Sequence, residues 1–141
     1  MATILQISNA DRNLSQFSKG IKLAGLEEKL NGFGPFTILG PVNLALGRMA
    51  EIYENLLQPG NKSKLFDFLS DYVLTGKKLL LDFRNNQKIS SLSGNQVTVE
   101  VKNGEIHLNG AKILARDRQG SNGVVHLLDT TYTVETSTLN S

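Results

Sequence analysis

The 141-residue sequence contains no cysteine, which excludes disulfide bridges, thiolate metal sites and a cysteine nucleophile. The absence says nothing about compartment, because a domain of this size buries roughly 68–70% of its unfolded surface and needs no covalent staple. No stretch approaches the roughly 20 consecutive apolar residues of a membrane span, and residues 1–20 lack the continuous apolar segment of a secretory leader. The chain as written is expected to be soluble, with membrane attachment only through a tether that it does not itself contain. Basic runs are missing too. Fifteen Lys and Arg against 13 Asp and Glu give a net charge of +2 with the signs interspersed, which offers nothing to nucleic acid or to a membrane surface. A Gly-x-Ser-x-Gly elbow, a His-rich metal pattern and an evident carboxylate pair are also lacking, so neither an enzyme nor a cofactor is expected.

What is present changes character at Gly76. Before it, apolar residues recur at helical spacing. An apolar entry of Ile4, Leu5 and Ile7 is followed by the cap-forming Ser8, Asn9 and Asp11, and then by Leu14, Phe17, Ile21 and Ala24, a helical stripe that Gly25 ends. Leu26 to Leu30 adds a turn, and Phe36 to Leu39 reads as a short strand. Asn43 stands where it would cap a helix carrying Met49, Ile52, Tyr53 and Leu56, with Gly47 as its weak point. Pro59-Gly60 breaks that helix, and Ser63 starts another carrying Leu65, Phe66, Leu69, Tyr72 and Val73 as far as Thr75-Gly76. After Gly76 the period falls to two. Leu79, Leu81 and Phe83 alternate as in a strand, Val97, Val99 and Val101 line one dry face, and the Asn103-Gly104 and Asn109-Gly110 pairs turn the chain into a meander. Asp117 to Ser121 reads as a polar loop, and Thr131 to Val134 as the end of the last strand. Helices first and strands later indicate an α+β domain over residues 1–134, with 135–141 as a polar tail.

The least chance-like run is Asn122-Gly123-Val124-Val125-His126-Leu127-Leu128-Asp129, a turn feeding a strand that is mostly apolar on both faces. A second run, Phe36 to Leu46, joins a Thr, an apolar strand, a Pro and a capping residue to the start of a helix. In order and spacing the two resemble the signature boxes of fasciclin-like domains, through Thr37, Pro41, Asn43 and Ala45 in the first and Asn122, Gly123, His126 and Asp129 in the second. The first box departs at Leu39, Gly40, Val42 and Leu46, where the family carries Phe, Ala, Thr and an aromatic. Loss of that Thr removes a helix cap worth about 1 kcal/mol unless Asn43 replaces it.

The resemblance runs from about Thr3 to Val134 and implies a compact wedge of β-strands packed with N-terminal helices. It also implies an extracellular, periplasmic or cell-surface location and a non-enzymatic adhesion or surface-attachment role. The implied partner of the monomer is a cell-surface or matrix protein, or a polysaccharide. Tyr72 stands where the family usually has the His of a Tyr-His or Asn-His pair. Ala115-Arg116-Asp117-Arg118-Gln119 keeps the acidic residue of an integrin-associated motif without the apolar residues after it. Both departures argue against integrin engagement of the animal kind.

His126 with Asp129, joined by His107, would be the natural start of a metal or acid–base site. Three positions apart on a strand, however, His126 and Asp129 face opposite sides and cannot converge, so His126 is expected as a hydrogen-bonded core residue. Asp129 is expected to accept hydrogen bonds from a neighbouring turn, and His107 to lie on the wet face with Glu105 and Asn109. Tyr72 is expected to bury its ring and leave its hydroxyl at the surface, which makes Tyr72 and His107 the candidates for partner contact. The four Asn-Gly pairs read as turns and not as phosphate loops. Asn13-Leu14-Ser15 and Asn61-Lys62-Ser63 fit the N-glycosylation acceptor pattern. The alternative to adhesion is a small-ligand or carbohydrate-binding protein with a pocket between helices and sheet.

Overall fold

The computed structural model describes residues 2–32 and 34–132, so Thr133-Val134 and the polar tail lie outside the described residues. The architecture is α+β. The helices are α1 (Ile4–Ala10), α2 (Ser15–Ala24), α3 (Glu27–Leu30), α4 (Asn43–Gly47), α5 (Ala50–Leu56) and α6 (Lys62–Ser70). The strands are β1 (Phe36–Pro41), β2 (Val73–Thr75), β3 (Lys88–Ser90), β4 (Gln96–Lys102), β5 (Glu105–Leu108), β6 (Ala111–Gly120) and β7 (Gly123–Leu128). They form one sheet in the order β2-β1-β7-β6-β5-β4-β3, in which β1 and β7 pair in parallel and the other pairs are antiparallel. Its two ends meet. Leu74 and Ser91 form an isolated bridge, and the Leu92 N–H donates to Val73 O at 2.8 Å. The sheet thus curls into a wedge with its end strands joined, which shields edges that would otherwise present unpaired donors and acceptors.

The expected stripe Leu14, Phe17, Ile21 and Ala24 is buried on and just before α2, and Gly25 closes that helix at φ 77°. Gly20 lets Tyr53 approach, with the Tyr53 hydroxyl donating to Gln16 O at 2.7 Å. A Cβ at Gly20 would stand 2.2 Å from the Tyr53 hydroxyl oxygen. α2 packs against α6, which contributes Leu65 and Leu69 to a core shared with Ile38, Leu39, Val97, Val99, Val125 and Leu128 of the sheet.

Several local expectations fail for physical reasons. Ile4, Leu5 and Ile7 belong to α1, capped by Thr3, whose Oγ1 accepts from Gln6 N while the Gln6 side chain takes Thr3 N–H. Asp11 caps only the 3-10 turn Arg12–Leu14. The helix expected to follow Asn43 is two helices, and Ile52 is 61% exposed where the spacing had it buried. Val73–Thr75 leaves the helical stripe to pair with β1. Leu79 to Phe83 is not a strand, since Leu80–Asp82 is a 3-10 turn. Its amides are taken by side chains, Leu79 N–H by Asp82 Oδ2 and Leu80 N–H by Asp117 Oδ1, in competition with any ladder. Asp117 to Gly120 is not a loop but the end of β6, which keeps pairing with β7 across two register shifts around Ala115. Thr131 and Tyr132 do not extend β7, which stops at Leu128.

Gly123 begins β7 opposite Phe36, and a Cβ there would fall 1.9 Å from Phe36 O. Only glycine permits that approach. Gly123→Ala is expected to lower unfolding free energy by about 3 kcal/mol or more, whereas Gly60→Ala, with nothing near its added carbon, should stay within about 0.5–1 kcal/mol. Urea midpoints of the two variants beside the parent check this.

Candidate functional site

The two signature segments come together as neighbouring parallel strands, second and third from the β2 end of the sheet. Thr37 stands beside Val124 and Leu39 beside His126. Thr37 and His126 are fully buried, and both turn to the same stretch of irregular chain. The Thr37 hydroxyl donates to Gly76 O at 2.7 Å and accepts from Lys78 N–H at 2.8 Å. His126 Nδ1 accepts from Asp117 N–H at 3.1 Å, so Nε2 carries the ring proton and donates to Lys78 O at 2.7 Å. Asp117, at φ 54°, places its Oδ1 4.0 Å from that Nδ1 and 2.8 Å from Leu80 N. Phe83 packs its ring against the imidazole, 5.7 Å between centroids. One polar residue from each box therefore holds the chain from Gly76 to Lys78.

The other box residues are occupied internally as well. Asn122 accepts from Ile4 N–H and donates to Leu30 O and Gly32 O, which ties α1 and the end of α3 to the start of β7. Asn43 does not cap its own helix. Its Oδ1 accepts from Gln16 N–H, and its Nδ2 donates to Arg12 O and Ser15 Oγ, so α4, with Val42 at its N-cap, has no side-chain cap. Pro41 and Ala45 are buried. Asp129 Oδ1 accepts from Lys112 N–H at 2.9 Å, and Asp129 O receives Arg48.

Tyr72 is not a surface residue. Its hydroxyl accepts from Tyr132 N–H at 2.9 Å and donates to Tyr132 O at 3.1 Å, and the two rings stack 4.4 Å apart. The Tyr132 hydroxyl donates in turn to Asp71 O. Burial pushes both phenols above their ordinary pKa, so both stay donors. Tyr132 was missed because a single tyrosine past the last strand carries no periodic signal. His107 lies on the polar face of β5 with Glu105, half-buried between its cross-strand neighbours Glu100 and Lys112. Its Nε2 lies 3.9 Å from Glu105 Oε1, while Lys112 pairs with Glu105 at 2.9 Å and holds that carboxyl below its usual pKa.

Among the described residues, no three His, Asp or Glu side chains converge as a metal site, and no helix is long and apolar enough to cross a membrane. An open groove of about 440 Å³ lies between α2 and α5, lined by Gln16, Lys19, Leu23, Glu54, Leu57 and Gln58. It is formed by helices alone, not between helices and sheet.

Two tests follow from the buried pair. Thr37→Val leaves Lys78 N–H and Gly76 O without this partner and should cost about 2–4 kcal/mol in denaturant unfolding. For His126, burial pushes the pKa below the ordinary 6.5, only partly opposed by the Lys78 hydrogen bond and the Asp117 charge. The folded ring is then neutral where the unfolded one binds a proton. Stability from this group is complete above pH 6.5 and falls as pH drops below it, by at most about 1.4 kcal/mol per unit. Unfolding midpoints of the parent and His126→Gln from neutral to about pH 5 should converge as acid is added.

A Fasciclin domain family model matches residues 12–132. The Synechocystis protein sll1483 is 34% identical over 128 residues, 90% of this chain and 71% of that protein. Transforming growth factor-beta-induced protein ig-h3 of Sus scrofa is 30% identical over 132 residues, 92% of this chain and 19% of that protein. Human periostin is 27% identical over 77% of this chain and 13% of its own length. A solved FAS1 domain pair from the insect cell adhesion molecule fasciclin I superposes with a TM-score of 0.81 at 16% identity, covering 92% of this chain and 50% of that one. That likeness shows the fold.

Proposed function

The chain belongs to the fasciclin domain family, and from that membership we propose a non-enzymatic adhesion or surface-attachment module that holds an extracellular protein or polysaccharide on its outer surface. The observation that carries this reading is the inward direction of the signature residues. Thr37, His126, Asn122, Asn43 and Asp129 have hydrogen-bond partners within the protein, so the family's polar residues build the scaffold and present no reacting group to a substrate. Binding then falls to exposed side chains. The helical side offers Leu44 on α4, 75% exposed, and Ile52 on α5, 61% exposed, the latter lining a shallow groove with Glu51 and Asn55. Isolated exposed apolar residues are ordinary, but two on consecutive helices give a partner a dry contact within a polar rim. The sheet side offers His107 with its neighbours Glu105 and Lys112. Tyr72, buried, drops out. An extracellular, periplasmic or cell-surface monomer fits this role. The chain spans under a fifth of the porcine relative, so that protein's own partners are not carried over.

Binding of the purified chain to immobilised matrix proteins, neutral polysaccharides and whole cells tests the reading. Saturable binding to one class is expected, weakened roughly tenfold, or about 1.4 kcal/mol, by the double variant L44S/I52S with its heat-unfolding midpoint unchanged. His107→Ala, run beside it, reports on the sheet side. Absence of saturable binding across the panel would overturn the adhesion reading, and binding that ignores both surface changes would overturn the faces assigned here.

A further inference from the structure

We propose that the loop from Lys77 to Arg84 docks on an anionic lipid surface, with Leu81 entering the interface and a rim of cations facing the headgroups. This role is separate from the adhesive contact above. Leu79 and Leu80 are half-buried, and Leu81 beside them is 89% exposed, the most exposed large apolar side chain among the described residues. Lys77 and Arg84 are exposed and Lys78 half-buried on the same loop. Arg116, far away in sequence, joins them, because Asp117 takes Leu80 N–H with one carboxylate oxygen and Arg116 Nη1 with the other. The carboxylates here are Asp82 and Asp117. Four cations against two carboxylates leave an excess of two positive charges, equal to that of the entire chain, so the rest of the molecule balances to neutrality.

The backbone of the turn points to lipid over a hydrated partner. An amide that enters an apolar interface unpaired loses its water without compensation. Here Lys78 N–H is bonded to Thr37 Oγ1, Leu79 N–H to Asp82 Oδ2, Leu80 N–H to Asp117 Oδ1, Asp82 N–H to Leu79 O and Phe83 N–H to Leu80 O. The donors on either side of Leu81 are thus satisfied from within. The loop is also held by Thr37 and His126 before any contact, so little ordering entropy opposes docking. A polysaccharide would call for an aromatic platform, but the single aromatic of this loop, Phe83, is buried against His126. An aliphatic tip with a basic rim supplies the two weak signals, apolar and electrostatic, that together hold a protein on an anionic bilayer.

The test is co-sedimentation of the full chain with vesicles of phosphatidylcholine and phosphatidylglycerol in equal parts, and with phosphatidylcholine alone. The chain should pellet with the anionic vesicles only, and less as salt is raised. K77Q/R84Q should lower partitioning roughly tenfold or more, at about fivefold per cation, and L81S should lower it with the heat-unfolding midpoint unchanged. Because the sequence has no tryptophan, L81W gives a single emitter whose fluorescence should shift to the blue on anionic vesicles. The proposal is overturned if the chain stays in the supernatant with both vesicles, if L81S pellets like the parent, or if L81W pellets with unshifted emission. Binding to soluble heparin or alginate without vesicle binding would also overturn it and assign the loop to an acidic polysaccharide.

Discussion

The parallel pairing of β1 with β7 places two polar side chains where water does not reach, and much of the molecule is arranged to satisfy them. A parallel strand pair is covered on both faces, so a threonine hydroxyl or an imidazole between such strands costs a few kcal/mol unless it is hydrogen-bonded within the protein. Thr37 and His126 find their partners in the backbone between Gly76 and Lys78 and at Asp117. Burial keeps the imidazole neutral, and a neutral ring has one donor and one acceptor, matched here by Lys78 O and Asp117 N–H. Strand, loop and the irregular turn of β6 are consequently one unit. Moving any of the three leaves a buried polar group unpaired.

The sequence carried the elements whose signal is local. The α2 stripe, the Asn-Gly hairpins, the Val97 and Val99 part of the expected face, whose third residue Val101 is exposed, and the run from Asn122 to Asp129 each repeat at a helical or strand period or contain a turn pair that needs glycine or asparagine. It misled where side chains far away in sequence decide the backbone. Leu79, Leu81 and Phe83 alternate like a strand, but Asp117, 37 residues from Leu80, takes an amide that a ladder would need. The polar run from Asp117 to Gln119 reads as a loop, yet Arg118 and Gln119 pair with Val125 and Val124, because β7 supplies hydrogen bonds that no local pattern announces. Charge behaved partly in the same way. Lys77, Lys78 and Arg84 already share one short stretch, and Arg116, distant in sequence, is brought to it by Asp117, which bonds both Leu80 N–H and Arg116.

Tyr72 shows how a residue chosen for contact can serve closure instead. It lies between α6 and β2, at one side of the seam where the sheet meets itself. Through stacking and two hydrogen bonds with Tyr132 it draws in the chain that leaves β7. The adjacent Asp71 carboxylate holds Ser93 and Asn95 of the turn after β3, so both sides of the seam are gripped by consecutive residues. The aromatic hydroxyls fit because each has a backbone partner, as buried phenols require.

The attachment points at the two ends of the described chain set the direction in which a pull is felt. Ala2 O receives Ser121 N–H, and Ile4 N–H is bonded to Asn122, at the beginning of β7. At the other end, Tyr132 is fastened to Tyr72 and Asp71, just past the end of β7. Tension between Thr3 and Tyr132 therefore runs along β7, parallel to β1 beside it. Between those points β7 is continuous covalent chain, so the pull falls on the hydrogen bonds that join residues 2–4 to Ser121 and Asn122. The contact of α1 with the start of β7 is therefore the mechanical fuse of the described chain, and the parallel pair β1–β7 lies behind it.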